Sequence, residues 1–134
     1  MEQKAEWGLL FVRVVLAVIM LAHGVQKLFT MDQVVETFTQ HLGLPAVIAY
    51  GTAMIEALAG LSLLLGFFVR ISAFLFGLIM LGAIFMVKLD VGFFGNAQMR
   101  GYEFDLALLS ICVLLMLTGS RKWSLGGENI KGRS

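Results

Sequence analysis

The sequence predicts an all-α membrane protein: an antiparallel four-transmembrane-helix bundle with a short interfacial helix between spans one and two. Three observations predict it. Four apolar stretches fill most of the 134 residues, and crossing a hydrocarbon core about 30 Å thick takes about 20 mostly apolar residues. Apolar residues make up 59% of the chain and charged ones 14%, against roughly 25% charged in an average soluble domain. The charges interrupt the apolar stretches at only a few defined points. Lipid offers the backbone no hydrogen bonds, so segments of this kind are helical.

Span one covers about 8–29, after a short lead. Lys4 gives a weak basic start, but the apolar run is too long for a signal-peptide core, and no small-x-small cleavage site follows at Leu21-Ala22-His23-Gly24. The segment therefore reads as a retained span. Asp32–Leu42 reads as a brief amphipathic helix lying along the outer interface. Asp32 is placed to cap it, Val34, Val35, Phe38 and Leu42 fall near one face, and Gly43-Leu44-Pro45 ends it.

Span two covers about 46–66, and Gly66–Arg70 turns the chain tightly into span three, about 71–88. Ala53, Ala57 and Gly60, and likewise Ala73 and Gly77, have the small-residue spacing that admits close backbone contact between membrane helices. Lys88–Tyr102 is an irregular outer loop, the kind of segment on which a rigid scaffold carries binding groups. Span four, about 103–119, is short, and 120–134 forms a polar tail. The chain 1–134 reads as one integral membrane domain.

Lysine and arginine set the orientation. Lys4, Arg70, Arg121, Lys122, Lys131 and Arg133 fall on the side of both termini, and Lys27, Lys88 and Arg100 on the other. The bias puts both termini in the cytoplasm by the positive-inside rule. Trp7 and Trp123 flank the first and last spans there, as interfacial anchors would.

Composition also excludes. A net charge of +1 gives no support for nucleic-acid binding, and a single cysteine, Cys112, rules out a dithiol relay within one chain. Of the two histidines, His41 lies outside the spans, so no metal site is expected. No glycine-rich nucleotide motif is present.

Ionisable groups inside the spans are the candidates for function. On span one, at 100° per residue, Gly24 and Lys27 point within about 40° of Arg13, and His23 lies about 40° from Lys27. Glu56 sits near the middle of span two, where a carboxylate is paired, hydrated or protonated. By depth Glu56 falls midway between Arg13 and His23, so an Arg13–Glu56–His23 polar column is expected, with either pairing open. The candidate intramembrane pocket is therefore Arg13, His23, Lys27 and Glu56. A buried pair of this kind also serves simply to fix helix register.

The candidate outer-mouth residues are Lys88, Arg100, Tyr102, Glu103 and Asp105. Glu103 and Asp105 are about 200° apart around the helix, so they cannot both face the pocket. Solvation of both at the interface is the plain expectation, and the alternative pairs one of them with Lys27 or Lys88. Tyr102 suits either an aromatic ligand or the interfacial belt. No residue is assigned as catalytic.

The stretch from Arg13 to Phe29, with His23-Gly24 and the ending Gly24-Val25-Gln26-Lys27-Leu28-Phe29, resembles the DoxX family of small four-helix membrane proteins. Glu56 with Ala57 and Gly60, followed by Gly66-Phe67-Phe68-Val69-Arg70, resembles that family's second helix and turn. The resemblance implies a bacterial inner-membrane location and links to redox chemistry: a component of a quinone-linked oxidoreductase, or a factor in detoxifying catechols and quinones. It implies a bound quinone as the one cofactor to expect, since none is evident in the chain itself. Implied partners are the lipid bilayer and a partner redox enzyme or a homo-oligomer. The alternative it leaves open is a non-catalytic membrane anchor or assembly partner of a separate redox enzyme.

Overall fold

The computed structural model describes residues 3–97 and 100–120. Helix α1 runs Gln3–Phe29, α2 Met31–Glu36, α3 Ala46–Leu65, α4 Val69–Ala83 and α5 Tyr102–Thr118. Two π-helical turns, Thr37–His41 and Ile84–Lys88, extend α2 and α4. Among the described residues there is no strand, only an isolated antiparallel bridge between Gly95 and Arg100. The tail beyond Ser120, with Trp123, lies outside them.

Among the described residues, three stretches are long and apolar enough to cross a membrane: Gln3–Phe29, Ala46–Leu65 and Val69–Lys88. α5 has 17 residues, about 25 Å at 1.5 Å per residue. α1 begins at Gln3 rather than near residue 8, because Gln3, Lys4, Ala5 and Glu6 are good helix formers that carry the helix past its apolar run. A short helical segment forms between α1 and α3, with Val34, Val35, Phe38 and Leu42 all half-buried. Asp32 does not cap it. Thr30 holds the N-cap position and Asp32 stands in the first turn, where a carboxylate still meets the positive end of the helix dipole.

The turn between α3 and α4 is set by its backbone. Gly66 takes φ +89, the left-handed conformation that ends many helices and that glycine adopts without steric penalty. Its N–H and that of Phe67 both donate to the Ser62 carbonyl at 2.9 Å. Phe68 follows at φ +50, a conformation that costs an L side chain about 1–2 kcal/mol.

Large apolar side chains point outward. Phe11, Val18, Phe29, Val47, Leu58, Ile71, Leu78, Phe85 and Leu117 are each half exposed or more. Many buried positions are small or polar instead: Ala17, Gly24, Ala49, Ala53, Glu56, Gly60, Ser72, Ala73 and Gly77. Lipid tails are as apolar as leucine, so membrane helices associate through close packing rather than by hiding apolar area. Leu16, Met20, Leu63, Phe76, Cys112 and Leu115 fill the centre.

α1 packs most extensively on α3 and α4 on α5, and α3 against α4 joins the two pairs. A Cβ on Gly24 would stand 2.5 Å from the Ala57 backbone nitrogen, and one on Gly60 would stand 2.8 Å from that of Leu21. α1 and α3 therefore run antiparallel, with Leu21 opposite Gly60 and Gly24 opposite Ala57. That register governs the site.

Candidate functional site

Carrying the α1–α3 register one turn past Gly24 brings Lys27 level with Met54, two residues from Glu56, and the long lysine side chain leans back toward its own helix N-terminus to reach it. Lys27 Nζ lies 2.6 Å from Glu56 Oε2. Glu56 is 2% exposed, while the Lys27 side chain keeps 28% of its surface open. The same register run backward carries Arg13 past Leu65, the last residue of α3. Arg13 is therefore out of reach of Glu56, while His23 turns its ring to the Ile19 carbonyl and makes no hydrogen bond to Glu56, so the expected Arg13–Glu56–His23 column does not form. Arg13 is buried at the end of the molecule that holds α1's N-terminus, its Nη1 3.5 Å from the carbonyl and the hydroxyl of Ser120. Nearby Arg70 donates to the Thr118 carbonyl at 3.4 Å, and both cations sit where the negative end of α5 favours them.

His23 stays on the Lys27 side. Its Nδ1 lies 2.8 Å from the Ile19 carbonyl one turn earlier. A carbonyl only accepts, so Nδ1 carries the proton and, in the neutral ring, Nε2 is left as an acceptor.

A second ion pair closes the other side. Lys88, the last residue of the α4 π turn, places Nζ 2.8 Å from Asp105 Oδ2. Asp105 is buried in the first turn of α5, so the expected solvation of both acidic residues holds for exposed Glu103 and fails for Asp105. The reason is angular. Two residues apart on a helix, the side chains face opposite ways, and the inward one meets a lysine rather than water.

Both pairs line one cavity of about 150 Å³, together with His23, Arg100, Phe76, Ile79, Met80, Ala83, Phe104 and Leu108. Three cationic side chains stand there against two carboxylates, on a wall that is otherwise aromatic and aliphatic. Arg100 lies over the Phe104 ring at 4.4 Å from its centroid, a cation–π contact. A more open groove of about 380 Å³ shares Arg100 and Phe104 and is also lined by Phe94, Gly101, Glu103 and Ala107. Arg100 and Phe104 thus stand between groove and cavity. Tyr102 does not line either; its ring packs edge-on against Phe93 at 5.4 Å.

The loop between α4 and α5 positions this mouth. The first free N–H groups of α5, on Tyr102 and Glu103, donate to the Gly92 and Phe93 carbonyls at 3.2 and 3.1 Å. Those carbonyls satisfy orphan donors at the helix start, and the bridge from Gly95 to Arg100 folds the loop back on itself.

Of the nine residues singled out from the sequence, His23, Lys27, Glu56, Lys88, Arg100 and Asp105 come together at the cavity, Glu103 lines only the more open groove, and Arg13 and Tyr102 lie apart. The aromatic walls Phe76 and Phe104 were not singled out. The available signal is helical spacing, since Phe76 stands one turn from both Ala73 and Met80 on the buried face of α4. Among the described residues no three His, Cys, Asp or Glu side chains gather as a metal-ligand set. Chemically, the cavity can hold a small ring between apolar walls while offering ammonium donors and carboxylate acceptors to its polar edge.

Comparison with known proteins places the chain among relatives. The DoxX family profile matches residues 8–89, a span that includes Lys27, Glu56, Phe76 and Lys88. A Bacillus subtilis protein named "Putative oxidoreductase CatD" is 38% identical over 99% of this chain and 95% of its own. An uncharacterized membrane protein of Mycobacterium tuberculosis is 28% identical over 85% of this chain and 76% of its own. No solved structure matches the chain significantly. With the family profile spanning more than half the sequence and a relative matched almost end to end, this chain belongs to the DoxX family.

Proposed function

We propose that this DoxX-family membrane protein binds a small quinone or catechol in the cavity between the two ion pairs, as a component of a membrane oxidoreductase system that handles such compounds. One observation carries the reading. A cavity of about 150 Å³ combines aromatic and aliphatic walls with Lys27, Glu56, Lys88 and Asp105. An apolar cavity of about that volume takes up benzene in an engineered protein, so a single six-membered ring is of matching size. Ligand pockets of this type use few polar groups to orient a mostly apolar guest. The relative named as an oxidoreductase supports the redox context.

In this reading the whole chain forms one domain in a bacterial inner membrane, with α5 as a fourth span, the spans alternating in direction and both termini cytoplasmic. The cavity then lies toward the outer side. Lys27 and Lys88 place positive charge where a ring oxygen gains negative character, which is worth most in a site shielded from water. Glu56 and Asp105 hold the lysines in place and accept hydrogen bonds.

A second reading, a membrane anchor or assembly partner of a separate redox enzyme, is favoured by the single buried thiol Cys112, which leaves no dithiol chemistry within one chain. A thermal-shift screen of the detergent-purified protein separates the two. Catechol, ubiquinone analogues and menaquinone analogues are the probes, and a saturable stabilisation that Glu56→Gln removes is the expected result. No shift with any of them refutes the ligand reading and favours the partner reading.

A further inference from the structure

Beside its ammonium and guanidinium donors, the cavity's polar edge carries acceptors that the protein leaves unused. Glu56 is 2% exposed, and its Oε2 takes the Lys27 ammonium at 2.6 Å. Its other oxygen, Oε1, is buried and accepts no hydrogen bond from any described residue. Asp105 Oδ2, by contrast, is taken by the Lys88 ammonium at 2.8 Å. His23 spends its Nδ1 proton on Ile19, which leaves Nε2 as an acceptor in the neutral ring. Two open acceptors, Glu56 Oε1 and His23 Nε2, therefore border one cavity. A buried acceptor left without a donor is destabilising, more so when it is charged.

We propose that the cavity selects the reduced, hydroxyl-bearing form of its aromatic guest, a diphenol, over the corresponding quinone, and that Glu56 Oε1 is the group that discriminates. The inference rests on the cavity reading above and adds the redox form of the ligand to it. A diphenol brings two O–H donors and satisfies Glu56 Oε1 together with a second acceptor. A quinone brings only carbonyl oxygens, which set acceptor against acceptor at Glu56. The lysines do not discriminate, because an ammonium has three N–H groups and donates equally well to a phenol oxygen or a quinone carbonyl. The same donor pattern occurs in a free catechol and in the head group of a membrane quinol.

The test measures equilibrium binding to the full chain in detergent, with mass spectrometry excluding covalent adducts on lysine or cysteine. The probes are catechol, benzohydroquinone, a decyl-substituted benzohydroquinone, p-benzoquinone and 1,2-dimethoxybenzene, whose shape is that of a catechol without O–H groups. Diphenols are expected to bind at least about tenfold tighter than the quinone and the dimethyl ether, the value of one hydrogen bond to a charged acceptor. Tighter binding of the decyl compound points to a lipid-borne quinol, and tighter binding of catechol to a free solute; both support the proposal. Glu56→Gln, which offers an amide donor beside its carbonyl, is expected to shrink the preference to about threefold or less. Equal or tighter binding of the quinone overturns this inference and leaves the cavity reading standing. Failure of every probe overturns both. A folded Glu56→Gln protein that keeps the full preference overturns the role of Glu56. If that variant does not fold, the wild-type comparison of catechol with dimethoxybenzene still decides.

Discussion

Adding one methyl group at two different glycines should move stability in opposite directions. In Gly24→Ala the new Cβ stands 2.5 Å from Ala57 N, 2.8 Å from Ala57 Cα and 2.9 Å from the Glu56 carbonyl carbon. All three are backbone atoms and cannot rotate away. Ordinary contact begins near 3.4 Å, so α1 and α3 must separate by about 0.9 Å at this level. Passed on one turn, that shift stretches the 2.6 Å Lys27–Glu56 contact to roughly 3.5 Å, beyond a good hydrogen bond. Overpacking of this kind costs about 1–3 kcal/mol, and loosening a hydrogen bond to a charged group adds about 1 kcal/mol or more. Gly82→Ala, inside α4, meets nothing within 4 Å. It should gain about 0.5–1 kcal/mol, because alanine is the better helix former. Thermal unfolding in one detergent, read by tryptophan fluorescence, compares the two variants with the wild type. Gly24→Ala must fall and Gly82→Ala must hold or rise. Equal effects would refute the backbone contact of α1 with α3, and with it the register that pairs Lys27 to Glu56.

Other substitutions separate stability from ligand binding. Asp105→Asn leaves Lys88 half-buried without its counter-charge, and should lower stability by about 1–3 kcal/mol in the same melts. Gly66→Ala forces a side chain into the left-handed region at the α3–α4 turn, with an expected loss of about 1–2 kcal/mol. Arg13→Met should lower the melting temperature yet leave the response to catechol unchanged, since Arg13 does not line the cavity. An Arg13 variant that loses the catechol response would place ligand recognition at the wrong end of this account.

The helices were legible because lipid imposes a simple length and polarity rule, and the boundaries near 46 and 66 follow from Pro45 and Gly66. The polar face of α1 was legible too, since Arg13, His23, Gly24 and Lys27 fall together at helical spacing. Which of them reaches Glu56 was not. Periodicity fixes angle within one helix but not the axial offset between two helices. That offset is set by Gly24 seating on Ala57 and Gly60 on Leu21. Small-residue spacing marked Ala57 and Gly60 as contact points, but it could not say which level of α1 meets them. Asp105 shows the same limit: its helical angle separates it from Glu103, and only the packing of α4 against α5 shows that the inward direction ends at Lys88. The walls Phe76 and Phe104 were hidden for a different reason. In a chain this apolar, a phenylalanine facing a cavity looks like one facing lipid.

The proposed ligand site is the space between the two ion pairs. Ala83 lines that space, and Ala83→Leu fills part of it while leaving Lys27, Glu56, Lys88 and Asp105 in place. Catechol titrated into the purified wild type and into Ala83→Leu is the direct measurement. Saturable binding to the wild type, with affinity for Ala83→Leu lowered about tenfold or more, is the expected result for a ring displaced from its pocket. Binding of equal affinity to both proteins would contradict the account.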